Sequence, residues 1–226
     1  MSTWISNPWT ALAAMLLILA GCAETAGDGE QRGSFLTSRG TGPFAPPNHA
    51  MPSAGMMNGA ILLAPPDGYC IDRRSFREDF ALLASCDALG APEGYGAVPP
   101  GLMTVAVVPV QEGEADDAMA AWTKPDGARM LGSMRVRDVS LSQVTGGVSV
   151  PGAASDHWRG VARIGPYVLG VAAYRPARGD GPVLNGQAAI LALVAGSRAA
   201  TQASRASVSG VVTKNLALSP ALGLFD

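Results

Sequence analysis

Apolar and polar positions along this chain fall into short blocks of two different periods. "LMTVAVVPV" (residues 102–110) is a nearly unbroken apolar run bounded by Pro100-Gly101 and Gly113, the pattern of a buried strand. "WRGVARI" (158–164) and "YVLGVAAYR" (167–175), joined by Gly165-Pro166, predict a β-hairpin. In "GARMLGSMRVRDVSLSQV" (127–144), Val136, Val139 and Leu141 stand among polar neighbours, which predicts one or two strands. "AILLAPPDGYCID" (60–72) reads as a short strand at 60–63, a turn at Pro65-Pro66-Asp67-Gly68, and extended chain again at 69–71.

Helical spacing is clearest in "NGQAAILALVAGSRAATQAS" (185–204), with Asn185 placed to cap it, and in "EADDAMAAW" (114–122), whose acidic residues suit the positive end of the helix dipole. The stretch "SFREDFALLASCDALG" (75–90) fits two periods. Ser75 and Glu78 form a capping-box pattern, Phe76, Phe80 and Leu83 share a helical face, and Gly90 can end the helix. Phe80, Leu82, Ala84 and Cys86 also alternate, as in a strand; of the two, the helix is the expectation taken forward. Strands outnumber helices and are joined mostly by short turns. The fold class expected is α+β: an antiparallel sheet with helices packed on one face.

Composition narrows the picture. The chain has 226 residues, 48% hydrophobic and 15% charged, so one modest folded domain is expected and a polar disordered chain is not. With 16 Lys plus Arg against 18 Asp plus Glu, no concentrated basic surface is offered to displace counterions from a polyanion, and nucleic acid is not an expected partner.

The N-terminus carries an address. Residues 11–20, ALAAMLLILA, form an apolar run of signal-peptide length, too short to span a bilayer as a helix. Leu19, Ala20, Gly21 and Cys22 follow, and this tetrad resembles the lipobox of bacterial lipoproteins at every position. The resemblance implies a signal peptide over 1–21 and diacylglycerol on Cys22. It further implies a protein held by lipid in the bacterial envelope, facing the periplasm. Ala23 stands where some enteric lipoproteins carry the Asp that retains them at the inner membrane, so the outer membrane is the expected site. Residues 22–58, rich in Gly, Ala, Ser, Thr and Pro, read as a flexible tether, with His49 a solvated linker residue, and residues 59–226 as one globular domain. Such a tether would reach on the order of 35 Å root mean square.

With Cys22 lipidated, Cys70 and Cys86 remain as an even pair in an exported chain, where disulfides persist, and a bond between them is expected. Motifs for chemistry are sparse. Gly-x-Ser-x-Gly, Gly-x-x-x-x-Gly-Lys, Gly-x-Gly-x-x-Gly and His-Glu-x-x-His are all absent, so no cofactor and no metal site is expected. Glu112, Glu114, Asp116 and Asp117 read as a solvated surface. The one cluster to weigh is "SDHWRG" (155–160), in which His157 is a weak candidate for a general acid or base. In extended chain His157 and Arg159 share one face and Trp158 takes the other, which disfavours direct contact between neighbours. The expected function is a non-catalytic domain that binds an envelope protein or a small ligand. The alternatives are an envelope hydrolase using His157 and a peptidoglycan binder.

Overall fold

The computed structural model describes residues 48–217 apart from 112, 113, 148, 149 and 180, and of residues 208–217 the backbone alone. Cys22, the expected signal segment 1–21, the expected tether up to residue 47 and residues 218–226 lie outside the described residues.

The strands are β1 (Ala50–Met51), β2 (Ala54–Met56), β3 (Ile61–Leu63), β4 (Tyr69–Asp72), β5 (Phe80–Ser85), β6 (Leu102–Pro109), β7 (Ala128–Val136), β8 (Val139–Gly146), β9 (Ala153–Ile164) and β10 (Tyr167–Pro176). The helices are α1 (Ala115–Thr123) and α2 (Gly186–Ala217). Eight strands form one sheet in the order β1-β4-β5-β6-β10-β9-β8-β7, and every pairing is antiparallel. After β6, α1 carries the chain to the far edge, and β7 to β10 return as a meander to pair with β6. β2 and β3 form a separate two-stranded ribbon.

The β9–β10 hairpin is as its sequence predicts: Ile164 pairs with Tyr167 across a two-residue loop. Gly165 there has φ of 59°, and Pro166 fixes a negative φ behind it, the requirement of a type II′ turn. β6 and the β7–β8 hairpin also form where the pattern places them, and Asn185 accepts a hydrogen bond from the Ala188 amide at 3.1 Å as the cap of α2. No described helix is long and apolar enough to cross a membrane.

Three expectations are corrected. The helices do not share a face. In β9, Gly160 lies beneath Ile190 of α2, whereas its neighbour Val161 packs with Ala115 and Trp122 of α1. Adjacent strand residues point to opposite sides, so α1 and α2 cover opposite faces. β10 repeats the arrangement, with Leu169, Val171 and Ala173 in the core beneath α2 and Val168 and Gly170 beneath α1.

Second, residues 76–89 contain no helix. Phe80–Ser85 is β5, held between β4 and β6, with Ala81 and Leu83 facing the α2 side and Leu82 and Ala84 the other. Ser75 caps no helix either: its hydroxyl donates to the Asp72 carbonyl (2.9 Å) and accepts from the Leu82 amide (3.2 Å). Pairing with two neighbouring strands overrides a local pattern that fits either structure.

Third, the tether does not extend to residue 58. Ala50–Met51 pairs with β4, the His49 amide donates to the Leu89 carbonyl (2.9 Å), and Met56 is fully buried. Strands of two or three residues are too short to display a period.

Cys70 on β4 and Cys86 just after β5 form a disulfide, with Cα atoms 4.8 Å apart and a sequence separation of 16. It sits in a buried cluster with Leu89, Ala91 and Leu102. On the opposite face, Ser197 and Thr201 of α2 are buried because their hydroxyls accept the Ala64 and Leu62 amides at 3.1 and 3.0 Å, satisfying the free edge of β3.

Two stability tests follow from this packing. Replacing both cysteines by alanine frees a loop of this length, and the urea midpoint should fall by the equivalent of about 3 kcal/mol. Gly170→Ala would drive a methyl into the Trp122 ring, with an expected loss of about 1–3 kcal/mol that shrinks in a Trp122→Ala background.

Candidate functional site

β9 and β10 carry the one cluster of buried polar side chains on the α1 face of the sheet among the described residues. The hairpin register puts His157 opposite Tyr174, and the two rings stack with centroids 4.6 Å apart. Arg159 lies two residues on along the same face, opposite Ala172 on β10 and Ser142 on β8. Its Nε donates to the Trp122 carbonyl at 2.7 Å, and its guanidinium sits over the Trp122 ring at 4.6 Å. Ser142 donates to the Thr123 carbonyl at 2.6 Å. The last turn of α1 therefore leaves carbonyls that would lack partners, and β8 and β9 supply the donors. Trp158 takes the other face, against Gly186 at the start of α2.

His157 is 3% exposed. Its Nδ1 lies 3.3 Å from the Ser155 carbonyl, an acceptor only, so that nitrogen carries the proton. Nε2 is then a bare acceptor, buried and without a hydrogen-bond partner. Burial pulls the imidazole pKa below its ordinary value; the Ser155 contact opposes this and the charge of Arg159 adds to it. Burial likewise pushes the Tyr174 hydroxyl up, against the Arg159 charge and a hydrogen bond with Thr104. Burial also lowers the Arg159 pKa, although a guanidinium stays charged across the biological range.

This arrangement is poor for proton transfer. The nearest carboxylate in sequence, Asp156, points to the other face and pairs with Arg175 at 2.7 Å. Ser155 meets Thr145 at 3.5 Å. The imidazole is thus neutral, stacked and shielded, with no carboxylate to orient it as a base. Its geometry suits a packing role, in which His157 and Tyr174 fill the space between β8 and β6. Among the described residues, no three His, Cys, Asp or Glu side chains converge as metal ligands.

The sequence singled out His157 and Arg159 and placed them correctly on one face. It missed Tyr174, Trp122 and Thr104. Tyr174 was within reach, because a two-residue turn at Gly165-Pro166 fixes 174 opposite 157. Trp122 had no such signal, since its position depends on how α1 docks.

Elsewhere, a hollow of about 280 Å³ lies beyond the disulfide, between Ser85 and Asp87 on one side and the Glu93–Val98 loop on the other. Two more hollows border α2. Apolar side chains also stand exposed on β7, at Met130, Leu131 and Met134, and on the α1 face of the sheet at Phe80 and Val108.

No family model matches this chain, and no curated protein does. Among solved structures, the Ran-binding protein Mog1p of Saccharomyces cerevisiae aligns with 9% identity and a TM-score of 0.35, over 56% of this chain and 77% of that one. A point mutant of Mog1 gives 8% identity and 0.36, over 57% and 78%. At these values the likeness carries no inference about this chain.

Because the neutral imidazole is favoured by folding, the unfolded chain binds more protons near and below the ordinary histidine pKa. Stability from this site is therefore complete above about pH 6.5 and declines as pH falls through the depressed folded value. The urea midpoint of the wild type should drop between pH 7.5 and pH 5 by more than that of His157→Phe; equal slopes would contradict the assignment.

Proposed function

We propose that this chain is a lipid-anchored bacterial envelope protein whose folded domain binds an envelope protein or a small ligand without covalent catalysis. The observation that carries the proposal is the tetrad Leu19-Ala20-Gly21-Cys22 directly after a short apolar run. Small residues before the cysteine let a protease grip extended backbone beside an alkylated sulfur. Each buried methylene contributes about 0.8 kcal/mol, so one acyl chain holds only marginally and two or three hold durably.

Two features of the domain support the same reading. Cys70 and Cys86 are joined, and disulfides persist in oxidising compartments such as the periplasm and are rare in the cytosol. His157, the strongest candidate for catalysis in the sequence, is enclosed beside an aromatic ring and lacks an orienting carboxylate. The described residues already pair into the sheet at Ala50–Met51, so the tether of this proposal runs from Cys22 to about residue 47. Ala23 after the lipidated cysteine favours sorting to the outer membrane.

Cells grown with radioactive palmitate should label the wild-type protein and leave Cys22→Ala unlabelled. Equal label in both would contradict the anchor.

A further inference from the structure

Among the described residues, the α1 face of the sheet is covered in two places and open between them. On one side α1 packs over β8, β9 and β10, with Trp122 above Gly170. On the other, Leu89 and Ala91 close over Cys70, Ala84 and Leu102. Between these covers run Phe80 and Leu82 of β5 and Thr104, Ala106 and Val108 of β6, which the register sets side by side on one face. Phe80 is 36% exposed and Val108 44%, whereas Ala81 and Val107, pointing the other way, are buried beneath the opposite layer.

The chain enters the fold beside this opening. Ala50 pairs with Asp72, and Ile71 with Leu83, so Ala50 is level with Leu82 and Asn48 with Phe80. Ala50 and Leu82 both pack against the disulfide cluster, which puts the entering chain at the open face. Pro46 and Pro47 immediately precede Asn48. Of two consecutive strand residues one amide must face the neighbouring strand, and neither proline has a hydrogen to give, so β1 is not prolonged backwards along β4. The preceding chain must leave the ladder. Pro43-Phe44-Ala45-Pro46-Pro47 favours the polyproline II conformation, at about 3.1 Å per residue. Phe44 thus reaches about 12 Å from Asn48, and β5 lies two strand spacings, about 10 Å, from β1.

We propose that residues 41–47 strap the open α1 face, with Phe44 on Phe80 and with Thr41 and Gly42 crossing Val108. Ring against ring, Phe44 and Phe80 gain from offset stacking as well as from burial. Gly42 has no side chain to hold the backbone away from β6. A second copy of the chain fits this opening poorly, because a stable interface takes about 20–30 residues a side and the opening presents far fewer. A segment joined to the domain at Asn48 meets it at about millimolar effective concentration. The contact itself assumes nothing about the anchor. Its consequence rests on the reading proposed above: with lipid on Cys22, the free tether shortens to residues 22–40 and its reach to the order of 25 Å.

Trypsin tests the strap within one molecule, because Arg32-Gly33 and Arg39-Gly40 are matched bonds, one well before the strap and one against its start. The substrate is the full chain carrying Cys22→Ala with the internal disulfide formed, and mass spectrometry follows the initial rate at each bond under native conditions. Cleavage tracks the open population where opening and closing are fast, so the Arg39 bond should be cut at least about tenfold more slowly than the Arg32 bond. Phe44→Ala, which precedes the first strand, and Phe80→Asp should each bring the two rates to within about twofold. The wild-type ratio should not change with protein concentration. Equal rates at the two bonds in the wild type, or a ratio unmoved by both variants, would overturn the strap. Protection that grows with protein concentration would overturn it in favour of a second copy. Equal rates with palmitate label retained would count against the strap alone.

Discussion

The β9–β10 hairpin is buried on both faces, and the rest of the structure depends on how closely other elements approach it. Gly160 and Gly170 set that approach. A side chain at Gly160 would collide with Ile190 and Leu141, and one at Gly170 with the Trp122 indole. The two glycines face opposite ways, so one admits α2 and the other α1. With both helices seated, the middle of the sheet is covered from both sides while its outer strands stay partly open. β7 at one edge is exposed along nearly its whole length.

Each helix is then fixed by polar contacts that its own sequence could not provide. The carbonyls at the end of α1 are taken by Arg159 and Ser142 from strands beneath it, and α2 offers Ser197 and Thr201 to the bare edge of β3. The buried polar residues of this domain are largely accounted for by such joints. His157 belongs with them more readily than with a reaction, because its one unpartnered nitrogen faces an enclosed interior.

Much of this was legible in the sequence where the signal is local. The hairpin loop at Gly165-Pro166 fixed a register, the run at 102–110 announced a covered strand, and Asn185 marked the start of α2. The opposite placement of the helices was also partly encoded, since residues 168–173 are small or apolar at both parities, as a strand buried on two sides requires. Other features had no local signal. Residues 75–90 fit two periods, and only pairing with strands far along the chain chose between them. β1 and β2 are shorter than one repeat of any pattern. Arg159 and Trp122 are 37 positions apart in sequence and meet only where α1 docks over β9.

The central proposal is that the domain folds outside the cytoplasm and is held there by lipid on one sulfur. Intact-mass measurement of protein extracted from native membranes addresses this most directly. The mass predicted is that of a chain beginning at Cys22, increased by a diacylglycerol group and decreased by two hydrogens for the internal disulfide. An unmodified chain that still begins at Met1 would contradict it.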